Sequence, residues 1–291
     1  MSQRSSRAAK WSVNTFLYIG GFLMAVPFLW MVLTSLKTSD EIIYGTSWLP
    51  SNPRWSNYSE ALNVAPFLTY FRNTMVLVVG QTALTLIFSS MAGYALAKLP
   101  FRGSKLFEKY VVLMIMVPFQ LVIISAFLVV KSIPFAGGNN VVGVGGIGWL
   151  NSWYGLIIPF AASPIYIFLA RQFYSTLPNE LIEAARIDGA SEARIFTRIM
   201  TPLIKPALIT IGVLQTEAAW NSFMWPLIIT RDDSLRPLQL GLAVFTDVGG
   251  RSIRWEYLMA ASTLATVPML LLFVIAQKFF VQGIAGAGIK G

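Results

Sequence analysis

Glu183-Ala184-Ala185-Arg186-Ile187-Asp188-Gly189-Ala190, running on through Phe196 and Ile199 to Pro202 and Pro206, is a polar, small-residue island in an apolar chain. Long apolar runs flank it on both sides, so it reads as a charged loop held between two membrane helices. The wider composition agrees. Of 291 residues 55% are hydrophobic and 12% charged, where a soluble domain carries about 25% charged residues. The apolar residues fall into six blocks, near 13–35, 73–97, 110–130, 153–173, 206–230 and 257–280. Each is long enough for a ~30 Å hydrocarbon layer at a rise of about 1.5 Å per residue. A lone strand leaves its backbone unsatisfied in lipid, and a barrel shows alternation rather than continuous apolar runs. The expected fold is an all-α integral membrane protein with six transmembrane helices.

A net charge of +9 raises the question of nucleic acid, and the placement of the charges answers it. Lys and Arg number 14 in 1–12, 98–109, 171–205 and 278–291, against eight in 36–72, 131 and 230–254. Excess positive charge marks the cytoplasmic side, which puts both termini and the loop at about 174–205 inside. The charge sets topology, and no nucleic-acid partner is expected. Arg4, Arg7 and Lys10 precede an apolar run too long for a signal-peptide core, with no A-x-A site after it, so a first transmembrane helix is expected. With no cysteine the redox compartment is undetermined, and with no histidine the usual zinc and Ser-His-Asp arrangements are excluded. No metal or cofactor is expected on the chain, and it is not expected to be an enzyme.

The organisation divides at about residue 72. Residues 1–72 hold the N-terminal tail, the first helix and an external segment whose Pro50, Pro53 and Pro66 break any long helix and leave room for short interfacial ones. Residues 73–291 hold five helices, the cytoplasmic loop and a C-terminal tail. In the third span Pro118, beside Gln120, predicts a kink. Gly143, Gly145 and Gly148 spell G-x-G-x-x-G, but no βαβ context surrounds them, and the stretch reads as a flexible external loop. Eight of nine tryptophans, Trp225 among them, lie in loops or near proposed helix ends, as an interfacial belt does; Trp220 alone lies near mid-span. Ser89, Ser90, Gly93 and Ala97 read as close helix packing.

The quoted loop predicts a short helix at Glu183-Ala184-Ala185, whose small side chains admit a partner. Asp188-Gly189 suits a turn, because Gly tolerates positive φ and Asp can bond its local backbone. A second helix is expected from Ser191 to about Met200, with Ala193, Phe196, Ile199 and Met200 on its apolar side. An amphipathic loop lying on lipid is the plainer alternative.

The pattern E-A-A-x-x-D-G-A followed by F-x-x-I-x-x-P-L-x-x-P resembles the EAA loop of permease subunits of bacterial ABC importers. Thr201 departs from it, since the family often has Leu before the first proline. Trp220-Asn221-x-Phe223-x-Trp225-Pro226-Leu227, Arg254-Trp255-x-x-Leu258-Met259-Ala260-Ala261-Ser262 and the C-terminal Gln277-Lys278-x-Phe280-Val281-x-Gly283 extend the resemblance to the carbohydrate-uptake, maltose-type group. The resemblance implies residence in the bacterial inner membrane, a second homologous permease, two ATPase subunits, an external solute-binding protein and a sugar substrate. It implies coupling to the ATPases through Glu183, Ala184, Ala185, Asp188, Gly189, Ala190 and Phe196, and contact with them through the tail at 282–291. ATP and Mg then belong to the partner subunits. This chain has no G-x-x-x-x-G-K-[ST]; in its nearest run Ile289 follows Gly288 where the lysine should stand.

For the solute path, Glu217, Trp220, Asn221 and Met224 fall at i, i+3, i+4 and i+7, one face of the fifth helix. A carboxylate within a span faces a cavity or a polar partner. Carboxylates and amides suit sugar hydroxyls, and rings suit sugar C–H faces; Gln215 and Gln120 add hydrogen-bonding groups. Interhelical bonding explains the same stripe equally well. Two other readings remain: an importer of another polar solute, such as glycerol phosphate or an amino acid, and a stand-alone carrier or channel. The carrier needs ion-coupling residues and often two related halves, and neither is evident.

Overall fold

The computed structural model describes residues 2–246 and 253–287, with side chains described over 11–246 and 253–277. The tail residues Gly288 to Gly291, and the side chains of Arg4, Arg7, Lys10 and Gln282, lie outside that range. All regular structure among the described residues is helical. Three helices are long and apolar enough to cross a bilayer within the stretches Trp11–Ser35, Phe67–Lys98 and Trp255–Gln277. They belong to α1 (Ser2–Ser35), α2 (Phe67–Lys98) and a last helix, Trp255–Ala287. Three bent helix pairs also pass by length and composition, so the count among the described residues is three, or up to six if each pair is one span.

The bends revise the expected straight spans. α3 (Ser104–Met116) and α4 (Phe119–Lys131) meet at 109°, far beyond the expected proline kink. Two 13-residue helices of about 20 Å each at that angle reach only about 23 Å end to end, short of a bilayer core. Pro118 has no N–H for the Met114 carbonyl; the Val117 N–H takes it instead, at 3.3 Å. α5 (Trp153–Phe160) and α6 (Pro164–Ser175) meet at 40°. Beyond the loop helices, α9 (Lys205–Trp220) stops at Trp220 and α10 (Met224–Ile229) restarts four residues on.

The chain folds as two compact units, Met1–Phe67 with Leu242–Pro268 and Leu68–Gly241 with Met269–Gly291. In the first, the segment after α1 carries two short helices, Ser39–Ile43 and Ser56–Val64. Thr38 and Glu41 form a reciprocal capping box that starts the former. Buried Asn57 donates to the Ser35 and Lys37 carbonyls, both at 2.8 Å, tying the segment back to the end of α1.

From Leu68 onward α2 belongs to the second unit. One face is polar and buried, with Asn73, Thr74, Gln81, Thr85, Ser89 and Ser90 all enclosed. Part of that face serves the broken α5–α6 pair, since Gln81 donates to the Leu156 carbonyl and Thr85 to the Phe160 carbonyl, while Asn73 bonds the Ser234 and Arg236 carbonyls. Pro164 cannot donate to the Phe160 carbonyl, and the Thr85 hydroxyl does so at 2.9 Å. Pro159 cannot donate to the Gly155 carbonyl, and the Trp225 indole does so at 2.9 Å. Side chains from neighbouring helices thus satisfy the carbonyls that proline frees, which is the condition for a broken helix in lipid. Close packing in α2 is as expected: a Cβ at Gly93 would lie 2.7 Å from the Ala170 Cβ.

The glycine-rich stretch 132–152 is knitted rather than flexible. Buried Asn139 donates to the Lys131 and Ile133 carbonyls and accepts from the Gly146 N–H at 2.8 Å. A Cβ at Gly148 would stand 2.2 Å from the Lys131 carbonyl oxygen, so the strand-free G-x-G-x-x-G spacing serves close backbone approach.

Candidate functional site

The loop between α6 and α9 is built as two short helices. α7 (Glu180–Ile187) buries Ile182 and Ala185 and leaves Glu183, Ala184 and Ile187 exposed. It ends in a Schellman motif: the Gly189 N–H bonds the Arg186 carbonyl at 3.0 Å and the Ala190 N–H bonds the Ala185 carbonyl at 2.9 Å. Gly189 supplies the left-handed residue, with φ +78°, and a Cβ built on it meets nothing within 4 Å. Ser191 then caps the second helix, α8 (Glu192–Leu203), by accepting from the Arg194 N–H. Over Ile195–Met200 α8 is a π-helix, not the regular helix expected. It turns 80° into α9 at Ile204.

Packing fixes the loop against the bundle. Ile195, Met200 and Ile204 are buried with Ile182 and Ala185 in a cluster that includes Tyr94 of α2 and Tyr174 of α6. Phe196 lies 5.2 Å from the Tyr94 ring centroid and 6.4 Å from that of Tyr174. Polar ties reinforce the packing. The Lys98 ammonium donates to the Leu177 carbonyl and to Asn179 Oδ1 at 2.7 Å. Arg186 pairs with Glu192 at 2.7 Å, which holds the guanidinium above its usual range, and Tyr94 donates to the same carboxylate. The Tyr174 and Thr201 hydroxyls are 2.9 Å apart, which gives the departure at Thr201 a local partner. A loop adsorbed on lipid would show its apolar side outward; this one buries Ile182, Ile195, Met200 and Ile204 and leaves Leu181, Ile187 and Leu203 exposed. Ala193, expected on the apolar side, is exposed.

Of the seven residues implied for coupling, Glu183, Ala184, Asp188 and Gly189 are exposed on the loop's outer surface. Ala185 is buried, Ala190 and Phe196 half-buried, so these three hold the loop's shape from within.

The solute-path stripe divides at the helix break. Glu217 and Asn221 are exposed and bonded to each other at 2.7 Å, with Asn221 accepting weakly from Gln239. Met224 is exposed but begins α10, so it does not continue the α9 face. Trp220 is buried, edge-on to Phe71 at 5.9 Å. Gln215 is buried and donates to Gln81 at 3.2 Å, and Gln81 donates to the Leu156 carbonyl at 2.8 Å. Gln120 is exposed, next to the break between α3 and α4.

The main feature not read from sequence is an aromatic cluster at the helix breaks. Phe119 starts α4, Phe160 ends α5 and Trp225 lies in α10, and their ring centroids stand 5.5 to 5.9 Å apart pairwise. Trp225 is therefore a buried core residue rather than part of an interfacial belt. Beside the cluster a cavity of about 410 Å³ is lined by Met114, Val117, Phe119, Pro159, Phe160 and Ser163 among others. Pro118, Pro159 and Pro164 were the available signals; nothing in Asn221-Ser222-Phe223 marks the break between α9 and α10.

Broken, mutually braced helices and a packed polar loop describe an all-helical protein with several candidate membrane spans. A solved bacterial ABC transporter that imports the acidic polysaccharide alginate has the same fold, with TM-score 0.77 at 24% identity over 96% of this chain and 99% of that one. The chain belongs to the family of binding-protein-dependent transport system inner membrane components, whose profile matches residues 86–286. It is 31% identical to an arabinooligosaccharide transport system permease of Halalkalibacterium halodurans over the full length of both chains. It is also 31% identical to a trehalose/maltose transport system permease of Thermococcus litoralis, covering 94% of this chain and 96% of that one. These relatives are transport permeases, and the chain is an inner-membrane component like them.

Proposed function

We propose that this chain forms, with a second homologous permease, the path for a sugar or oligosaccharide in an ATP-driven importer working by alternating access. Both termini and the loop at about 174–205 face the cytoplasm. The loop docks on one of two ATPase subunits, which bind ATP and Mg; an external solute-binding protein delivers the sugar. The observation that carries the reading is the loop's construction: an exposed small-residue surface at Ala184 and Gly189 on a base packed into α2 and α6. A push on such a knob reaches the membrane helices instead of being absorbed in the loop. The broken helices supply elements whose angles can change while their freed carbonyls stay bonded. Relatives named for arabinooligosaccharides and for trehalose and maltose support a sugar as solute.

Glu217, Asn221, Met224 and Gln120, exposed in the isolated chain, are the candidates for lining the path. Trp220 and Gln215 support them from behind. The test is the ATPase activity that co-purifies with the tagged chain, measured across a sugar panel with the cognate binding proteins. Stimulation by one sugar is expected. A folded chain that brings no ATPase with it would refute the coupling role and put a stand-alone carrier first.

A further inference from the structure

We propose that the start of α3 is a binding site for an anionic phospholipid, holding its headgroup at Lys105 and Lys109 and an acyl chain along Val112 and Leu113. These four residues and Glu108 fall at i, i+3, i+4, i+7 and i+8 and form one open, shallow face of α3. Lys105 and Lys109 are one turn apart on the same face, both exposed, and neither ammonium makes a hydrogen bond or ion pair among the described residues. The one acid at the site is already neutralised, since Glu108 is ion-paired with Arg171 at 2.9 Å. The site therefore carries uncompensated positive charge.

The helix terminus adds to that charge. Gly103, with φ +90°, provides no side-chain cap, and the Lys105 and Leu106 amides have no bond outside the helix among the described residues. Free amides at the start of a 13-residue helix favour an anion. Further along α3 the wall becomes apolar, with Val112 and Leu113 exposed by 40% and 58%. Leu113 lies four residues past Lys109, about 6 Å along the axis, which is the step from a headgroup to the first methylenes. A soluble anion has no use for that wall. An anionic lipid uses both parts, and basic pockets at the membrane interface hold such headgroups.

This proposal rests on the chain's residence in a membrane, not on the identity of the solute. It is tested by native mass spectrometry of the full chain in mild detergent, titrated with phosphatidylglycerol, phosphatidylcholine or glycerol 3-phosphate. Phosphatidylglycerol is expected to stay bound at about one per chain while the other two do not. The Lys105→Gln/Lys109→Gln pair should weaken its retention about thirtyfold, roughly fivefold per lysine. The Lys105→Arg/Lys109→Arg pair should restore it, and Lys131→Gln should change nothing. Four outcomes overturn the proposal: unchanged retention in the double Gln variant, equal retention of phosphatidylcholine, an equal loss in Lys131→Gln, or equally tight glycerol 3-phosphate, which marks an anion site without a lipid. Transport and ATPase capture are not part of the readout, so failure of the importer reading leaves this test intact.

Discussion

Two substitutions at Gly189 separate a residue that docks from a residue that only turns the chain. Gly189 sits at φ +78° with open space around its Cβ position. The Cβ of Ala or Asn therefore meets no clash within this chain, and for Ala the intrinsic cost is purely of the backbone. For Ala the left-handed conformation costs about 1–2 kcal/mol. Asn visits that region readily and pays only a fraction of it. If Gly189 serves only the Schellman turn, Gly189→Ala should raise local opening about five- to thirtyfold, and Gly189→Asn should behave almost as wild type. Docking reverses the order, because the larger Asn side chain enters a space that only a partner subunit fills. The assay is the amount of ATPase co-purifying per permease, read beside sugar-stimulated ATPase activity, with hydrogen exchange at the Gly189 and Ala190 amides reporting the turn. Docking predicts that Asn lowers ATPase capture at least as much as Ala while leaving those amides protected. Full capture and full activity in Gly189→Asn, with loss confined to Gly189→Ala, would refute the docking argument.

Glu217→Gln is expected to leave assembly intact and cut sugar uptake, since the carboxylate is exposed and among the described residues bonds only Asn221, one turn on; loss of assembly would make it a packing residue instead. Trp225→Phe keeps the ring contacts with Phe119 and Phe160 but strands the Gly155 carbonyl, so thermal unfolding in detergent should show a loss of about 1–2 kcal/mol; an unchanged midpoint would mean that water replaces the indole. In the segment after α1, Glu41 is held down to about 2 from 4.5, chiefly by its bonds to Ser51 and the Thr38 N–H. A depressed carboxylate contributes stability that is present above its unfolded value and lost as pH falls through its folded one. Protection of the Glu41 and Ser51 amides should thus persist through pH 4.5 and disappear toward pH 2, and Glu41→Gln should flatten that dependence in a hydrogen-exchange profile. Loss of protection already near pH 5 in the wild type would contradict the bonding described.

What the sequence made legible follows from which interactions are local. The loop's first helix and the turn at Asp188-Gly189 depend on neighbours within one or two turns and appear where their spacing placed them, while the second helix appears there with a π-helical stretch over Ile195–Met200. The apolar blocks were equally plain as candidate spans, because hydropathy is a sum over a window. The breaks were legible only in part. A proline announces that a carbonyl will be freed, but not how far the chain then turns, and the angle is set by partners distant in sequence. Thr85 reaches Phe160 across 75 residues and Trp225 reaches Gly155 across 70. The 109° turn after Met116 has the same origin: Phe119 packs against Phe160 and Trp225, and no window around Pro118 contains either ring.

The same distinction explains the divided stripe on the fifth span. Spacing of three, four and seven assigns Glu217, Trp220, Asn221 and Met224 to one face only while the helix continues. It stops at Trp220, whose ring is held by Phe71, and the next helix starts with Met224 and buries Trp225. Periodicity identified residues of suitable chemistry, and a non-local aromatic contact decided which of them reach an open surface. Substitution of Phe71 should therefore change uptake through Trp220 without touching Glu217. Phe71→Leu, which removes the ring edge but keeps an apolar filler, is expected to destabilise the α2–α9 contact by about 1 kcal/mol. If uptake and thermal stability both stay at wild-type values, Trp220 is not held by that contact and the division of the stripe needs another cause.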